Sequence, residues 1–158
     1  MTGQRDRGRA MDIHSATTVQ GQMKPDMTWL IGRTIKAVQK KDYSWFFYLD
    51  DGSGIGTESP WRLVTARGIV VTSEDDGHPF GLPAPVNAAE RVTQTVVESP
   101  IKQFDLRDRT SDLVLHFAND AAIEFLNLSC GYEGWHTGHG HQQVICMGGG
   151  GLTEFSGS

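Results

Sequence analysis

The stretch SWFFYLDDGSGI, residues 44–55, restricts the fold more than any other. Trp45, Phe47 and Leu49 alternate with Phe46 and Tyr48. That is the period of two a β-strand imposes, because successive side chains point to opposite faces. The DDGSG that follows supplies the Asp and Gly that tolerate the positive φ of a tight turn. The chain is therefore expected to double back into a return strand from Ile55 through Thr57 towards Trp61. Pro60 cannot donate to a ladder, so this strand should kink there or lie at a sheet edge.

The same pattern recurs on both sides. Ile35 and Val38 belong to a first strand closing on a turn around Lys41–Tyr43, and IVVTS (69–73) makes another strand. EDDGHPFGLPAP (74–85), with three prolines and two glycines, is a loop. VNAAERVTQTVVE (86–98) predicts a helix, with Asn87 as N-cap, Glu90 three residues on, and Ala88, Val92 and Val96 on one face. IKQFDLRD, SDLVLHFANDAAIEFLNL, GYEGWHT, QQVICM and LTEF then read as strands, which places both Cys130 and Cys146 at strand ends.

The two halves align. Ile35, Val38 and Asp42 match Ile101, Phe104 and Asp108 at one offset. Trp45, Phe47, Leu49, Asp51, Ile55 and Thr57 match Leu113, Leu115, Phe117, Asn119, Ile123 and Phe125 at another. Each block is followed by a tryptophan with an acidic residue just ahead, Glu58 before Trp61 and Glu133 before Trp135. The expected fold is α+β and mostly antiparallel. Two β-meanders (28–73 and 101–156), an internal duplication, are joined by a loop and one short helix in a single domain over 27–156. Neither meander buries its apolar face alone, so the two should share one interior. Residues 1–26, polar and without a sustained period, are expected to form a flexible arm.

Composition narrows the functional classes. Net charge is −5, and no basic stripe appears after the first residues, which argues against a phosphate-backbone partner. No run of about 18 apolar residues offers a membrane span, and the N-terminus lacks the apolar segment of a secretory signal. A cytoplasmic location is expected, with Cys130 and Cys146 as thiols, although a cross-strand disulfide between them stays open.

ESPWRL, LHFANDAAIEF, CGYEGWH and GGGGLTEF, in this order and joined by a short helix, resemble a family of small bacterial proteins of unknown function. In that family a first meander ends in a Glu-Ser-Pro-Trp-Arg-like motif, and a second in a Tyr-Glu-x-Trp motif followed by a Gly-Gly strand. The resemblance spans roughly residues 28–156. It implies the fold and no activity. Fold-level analogy to small β-rich bacterial proteins suggests immunity or ligand sequestration.

Three site candidates follow. The first is the motif pair Glu58, Trp61, Arg62 and Tyr132, Glu133, Trp135, each setting an aromatic ring near a carboxylate and a cation or potential cation. Such a set would stack a planar ring and bond its edge. Against it, the two tryptophans also suit a core. The second is His136, His139 and His141, whose spacing would suit Zn²⁺. No H-E-x-x-H or paired C-x2-C accompanies them, and Gly138 and Gly140 between them suit a hairpin tip. The third is Gly148–Gly151, which lacks the Lys and Ser/Thr of a phosphate loop and reads as a bulge or turn. No Ser sits in a nucleophile elbow.

No cofactor is expected. The favoured function is binding without chemistry, capturing a partner protein or a polar, ring-bearing small molecule. The competing readings are a metal-dependent enzyme using the three histidines, and a self-associating module, since exposed edge strands favour homo-oligomers.

Overall fold

The computed structural model describes Thr17–Val19 and residues 24–157. It contains twelve described strands and one α-helix. β2 (Ile35–Lys41), β3 (Ser44–Leu49) and β4 (Gly54–Thr57) form an antiparallel meander, as do β7 (Ile101–Leu106), β8 (Leu113–Phe117) and β9 (Ala122–Phe125). The remaining strands are β1 (Thr17–Val19), β5 (Trp61–Thr65), β6 (Gly68–Thr72), β10 (Trp135–His139), β11 (Gln142–Cys146) and β12 (Leu152–Ser156).

The strands form two sheets, ordered β1-β12-β11-β10-β4-β3-β2 and β6-β5-β9-β8-β7. Each meander is completed by strands from the other half of the chain. β4 pairs with β10, and β9 pairs with β5. The return strand expected to run on from Ile55 to Trp61 thus ends at Thr57, and Trp61 opens a strand in the opposite sheet. Pro60 marks the break, as its missing N–H requires.

The aligned residues keep the same partners. Val38 faces Phe47, and Phe104 faces Leu115. A register shift follows Ile35 in one meander and Ile101 in the other. Trp61 faces Phe125, and Trp135 faces Thr57.

The sheets close on one interior. Phe47 meets Trp61 and Phe125 edge-on at 5.1 and 5.0 Å between centroids, and Trp45 meets Trp61 in the same way at 5.1 Å. Edge-to-face contact suits the quadrupoles of these rings. α1 (Ala88–Thr95) packs against β2 and β6, covering one open side of the sandwich with Ala88, Val92 and Val96, all fully buried. Asn87 caps it, its side chain accepting from the Glu90 N–H at 3.0 Å.

Three expectations need correction. Within the stretch read as an arm, Thr17–Val19 pairs with β12, so order begins ahead of Met27; residues 1–16 and 20–23 lie outside the described residues. GYEG is not part of a strand, and β10 starts at Trp135. Cys130 consequently lies in a loop, exposed, while Cys146 is buried on β11; both thiols are free.

Candidate functional site at the two crossovers

Two segments carry the chain from one sheet to the other. Three residues, Glu58–Pro60, link β4 to β5, and nine, 126–134, link β9 to β10. They meet at one end of the sandwich, where the Leu126 N–H donates to the Pro60 carbonyl at 2.9 Å. The difference in length builds a wall. Between them opens a cleft of about 810 Å³, lined by Glu58, Ser59 and Pro60 on one side and Leu128, Ser129, Tyr132 and Glu133 on the other. Ser44 and His136 also line it.

The wall is held from behind. Ser129 Oγ accepts the N–H groups of Gly131 and Tyr132 at 3.0 and 2.9 Å. Asn127 donates its side-chain amide to the carbonyls of Thr110 and Met147 at 3.0 and 3.3 Å, and its N–H to Asp112 Oδ1 at 2.8 Å. The expected turn at 148–151 is the support: a 3-10 turn, Gly148–Gly150, precedes β12. Its backbone lies so close to Gly131 and Arg109 that a Cβ at 148 or 150 would overlap their backbone atoms. Glycine is required there for close approach rather than for anion binding.

The predicted motif residues divide. Glu58, Tyr132 and Glu133 come together in the cleft. Trp61 and Trp135 do not: both are fully buried. Trp135 donates its indole N–H to the Ser111 carbonyl at 2.8 Å, while the buried indole N–H of Trp61 has no partner among the described residues. Their rings are core, and the expected stacking of a ligand on them fails for lack of an exposed face. Arg62 alternates with Trp61 and so points out of the five-stranded sheet, where its Nε meets Glu124 Oε1 at 2.7 Å. It is separated from Glu58 by that alternation.

Sequence reading missed Ser44, Leu128 and Ser129; Tyr43, which it set beside the motif pair together with Asp75, Asp76 and His78 on condition that the long loop folds over it, is the chain neighbour of Ser44. The available signal was two large apolar residues, Leu128 and Tyr132, on either side of residues 129–131, where the two stretches read as strands meet. Asp75, Asp76 and His78, in the long loop, serve that loop. Asp75 accepts from the Thr72 N–H, Asp76 accepts from the Ala88 N–H, and His78 stacks on Phe80.

The histidines are dispersed. His136 faces outward on β10, whereas His139 falls on the face of Trp135 and Thr137, and His141 lies in the turn before β11. Among the described residues no group of three or more His, Cys, Asp or Glu is placed to hold a metal ion. His139 instead stacks on Trp29 at 5.0 Å and approaches Asp51 at 3.5 Å. Burial works to raise the Asp51 pKa. Hydrogen bonds from the Ser53 side chain and N–H, with the charges of Arg33 and His139, outweigh it and hold the carboxyl below its ordinary value.

The chain matches no protein-family model, no curated protein and no solved structure. Among the described residues no helix is long and apolar enough to cross a membrane.

Proposed function

We propose that the protein is a binding module without chemistry, and that it captures another protein at the crossover cleft. One observation carries the reading. The three most exposed large apolar side chains among the described residues are Tyr43 at 85%, Tyr132 at 83% and Leu128 at 69%. Tyr132 and Leu128 line the cleft, and Tyr43 adjoins Ser44 of its lining. Exposed apolar groups scattered singly need no explanation, but a gathering of them does. Tyrosine is a residue that interface cores favour. With both tryptophans internal, a protein surface suits this rim better than a stacked small ring does. Sequestration or immunity, exerted by occlusion of the captured protein, is the corresponding role.

The test is a selection from a displayed random-peptide library against the full chain, followed by binding of the selected peptides to Tyr132→Ala and Leu128→Ser variants. Both side chains are exposed, so the fold should survive. Selected peptides are expected to lose affinity for the variants. Peptides that bind wild type and both variants equally would place the capture surface elsewhere and reject the reading.

We further propose that the two meanders arose by internal duplication. Their shared strand partners and matching register shifts support this. The short and long crossovers would then be the same connection, enlarged in the second copy to form the wall of the cleft.

A further inference from the structure

The charges of the cleft specify what it takes. Two carboxylates line it, Glu58 and Glu133, beside His136, and among the described residues no Lys or Arg does. On the adjoining strands Lys40 lies over the Trp45 ring at 5.5 Å and Arg62 is held by Glu124 at 2.7 Å, while Lys41, exposed, stands opposite Ser44 in the strand pairing and outside the lining. Neither carboxylate is neutralised by an ion pair among the described residues, and Glu58 accepts only a weak hydrogen bond from Ser44 Oγ, at 3.2 Å. The hydroxyls of Ser44 and Ser59 stand in the same lining as further acceptors. The chain as a whole carries −5. This lining complements a cation, and the field of the whole protein points the same way.

The rim selects the form of that cation. Tyr132 sets an aromatic ring beside Glu133, and a ring face attracts a guanidinium or ammonium group through its quadrupole. Pro60 and Leu128 offer apolar surface to the aliphatic stem that a Lys or Arg head trails behind it. A bare metal ion would leave these three surfaces unused. A cation on a carbon stem uses all of them.

We infer that the cleft receives a lysine or arginine side chain of the captured protein, its charged head between Glu58 and Glu133 and its stem against Tyr132, Leu128 and Pro60. The inference rests on the proposed capture function and names the chemistry of its partner. Capture is then an electrostatically steered encounter, fast at low salt and weakened as salt rises.

The experiment uses the peptides selected above on the full chain. Those dependent on Tyr132 and Leu128 are expected to share one required Lys or Arg. Remaking an arginine peptide with citrulline, which keeps the shape and removes the charge, should weaken binding roughly tenfold or more. So should Glu58→Gln together with Glu133→Gln, and raising the salt from 50 to 300 mM should weaken wild type far more than this double variant. Glutamine keeps an acceptor for Ser44, and both sites are exposed, so the variant should melt with the wild type. Cleft-dependent peptides that need no basic residue, or that bind the Gln variant at full strength, would overturn the inference and leave the capture function standing. Peptides indifferent to Tyr132 and Leu128 would overturn both.

Discussion

Trp135 donates its indole N–H to the backbone carbonyl of Ser111 across 2.8 Å of buried space, and Trp61, its counterpart in the other half, donates to none of the described residues. The two tryptophans occupy corresponding places in the strand pairing, facing Thr57 and Phe125. Their polar ends differ in consequence. Trp135→Phe removes ring volume and leaves the Ser111 carbonyl with only the weak thiol donor Cys146 Sγ, at 3.8 Å, whereas Trp61→Phe removes ring volume and a donor that has no partner among the described residues. Denaturant unfolding should find the Trp135 variant less stable than the Trp61 variant by about 1 kcal/mol, the net worth of the lost hydrogen bond. Equal losses would mean the Ser111 bond contributes nothing net.

The glycine run behind the cleft gives a second prediction. At Gly150, φ is +102°, and a Cβ would overlap the Arg109 carbonyl, which is backbone and has nowhere to move. At Gly140, φ is +61°, yet nothing lies within 4 Å. Gly140→Ala should therefore cost about 1 kcal/mol, the backbone strain alone. Gly150→Ala adds steric overlap and should cost roughly 3 kcal/mol or more, or prevent folding. Thermal melting of the pair decides it; similar melting temperatures would contradict the close approach.

The two thiols should behave oppositely. Cys130 is exposed, and burial, reinforced by the charge of Asp112, pushes the Cys146 thiol up to about 12 from its ordinary 9.0. A thiol reagent near pH 8 should modify one cysteine per native chain and two once the chain is unfolded. Because the native state holds the Cys146 proton more tightly, this group stabilises the fold fully below pH 9.0, and the contribution is lost as pH rises from there through about 12. Cys146→Ala should flatten that alkaline limb. A variant that loses stability in parallel with wild type would show that other groups carry the effect.

Arg62 belongs to the ion pairs on the outer face of the five-stranded sheet, where Glu124 also meets Arg107 at 3.5 Å. Arg62→Ala should lower stability by at most about 1 kcal/mol, since the pair is partly solvated. It should leave peptide capture unchanged. Lost capture with an intact fold would return Arg62 to the site.

Much of the fold was written in local pattern. The alternation in 44–49 put Trp45, Phe47 and Leu49 on one face, which the structure turns to the core, where they are 4%, 0% and 3% exposed, and Asn87 caps the helix it was expected to cap. What the pattern did not carry was the change of sheet between Thr57 and Trp61. Period two tells which way a side chain points from its strand and is silent about which sheet holds that strand. Pro60 signalled a break, but its consequence depends on β9, more than sixty residues later in the chain. The cleft was half legible for the same reason. Glu58, Tyr132 and Glu133 announced themselves as motif residues, while Ser44 and Leu128 join them only through long-range pairing. The tryptophans misled because a large aromatic beside a carboxylate looks alike in sequence whether its ring faces ligand or core.

The central claim is that capture takes place where the chain changes sheets. Amide hydrogen exchange of the full chain, with and without a saturating peptide from the selection, tests it most directly. The account predicts added protection at Ser44, Glu58–Ser59 and 128–134, with no change on the outer face of the five-stranded sheet around Arg62, Val114 and Glu124. Protection confined to that outer face, with the crossovers unchanged, would contradict it.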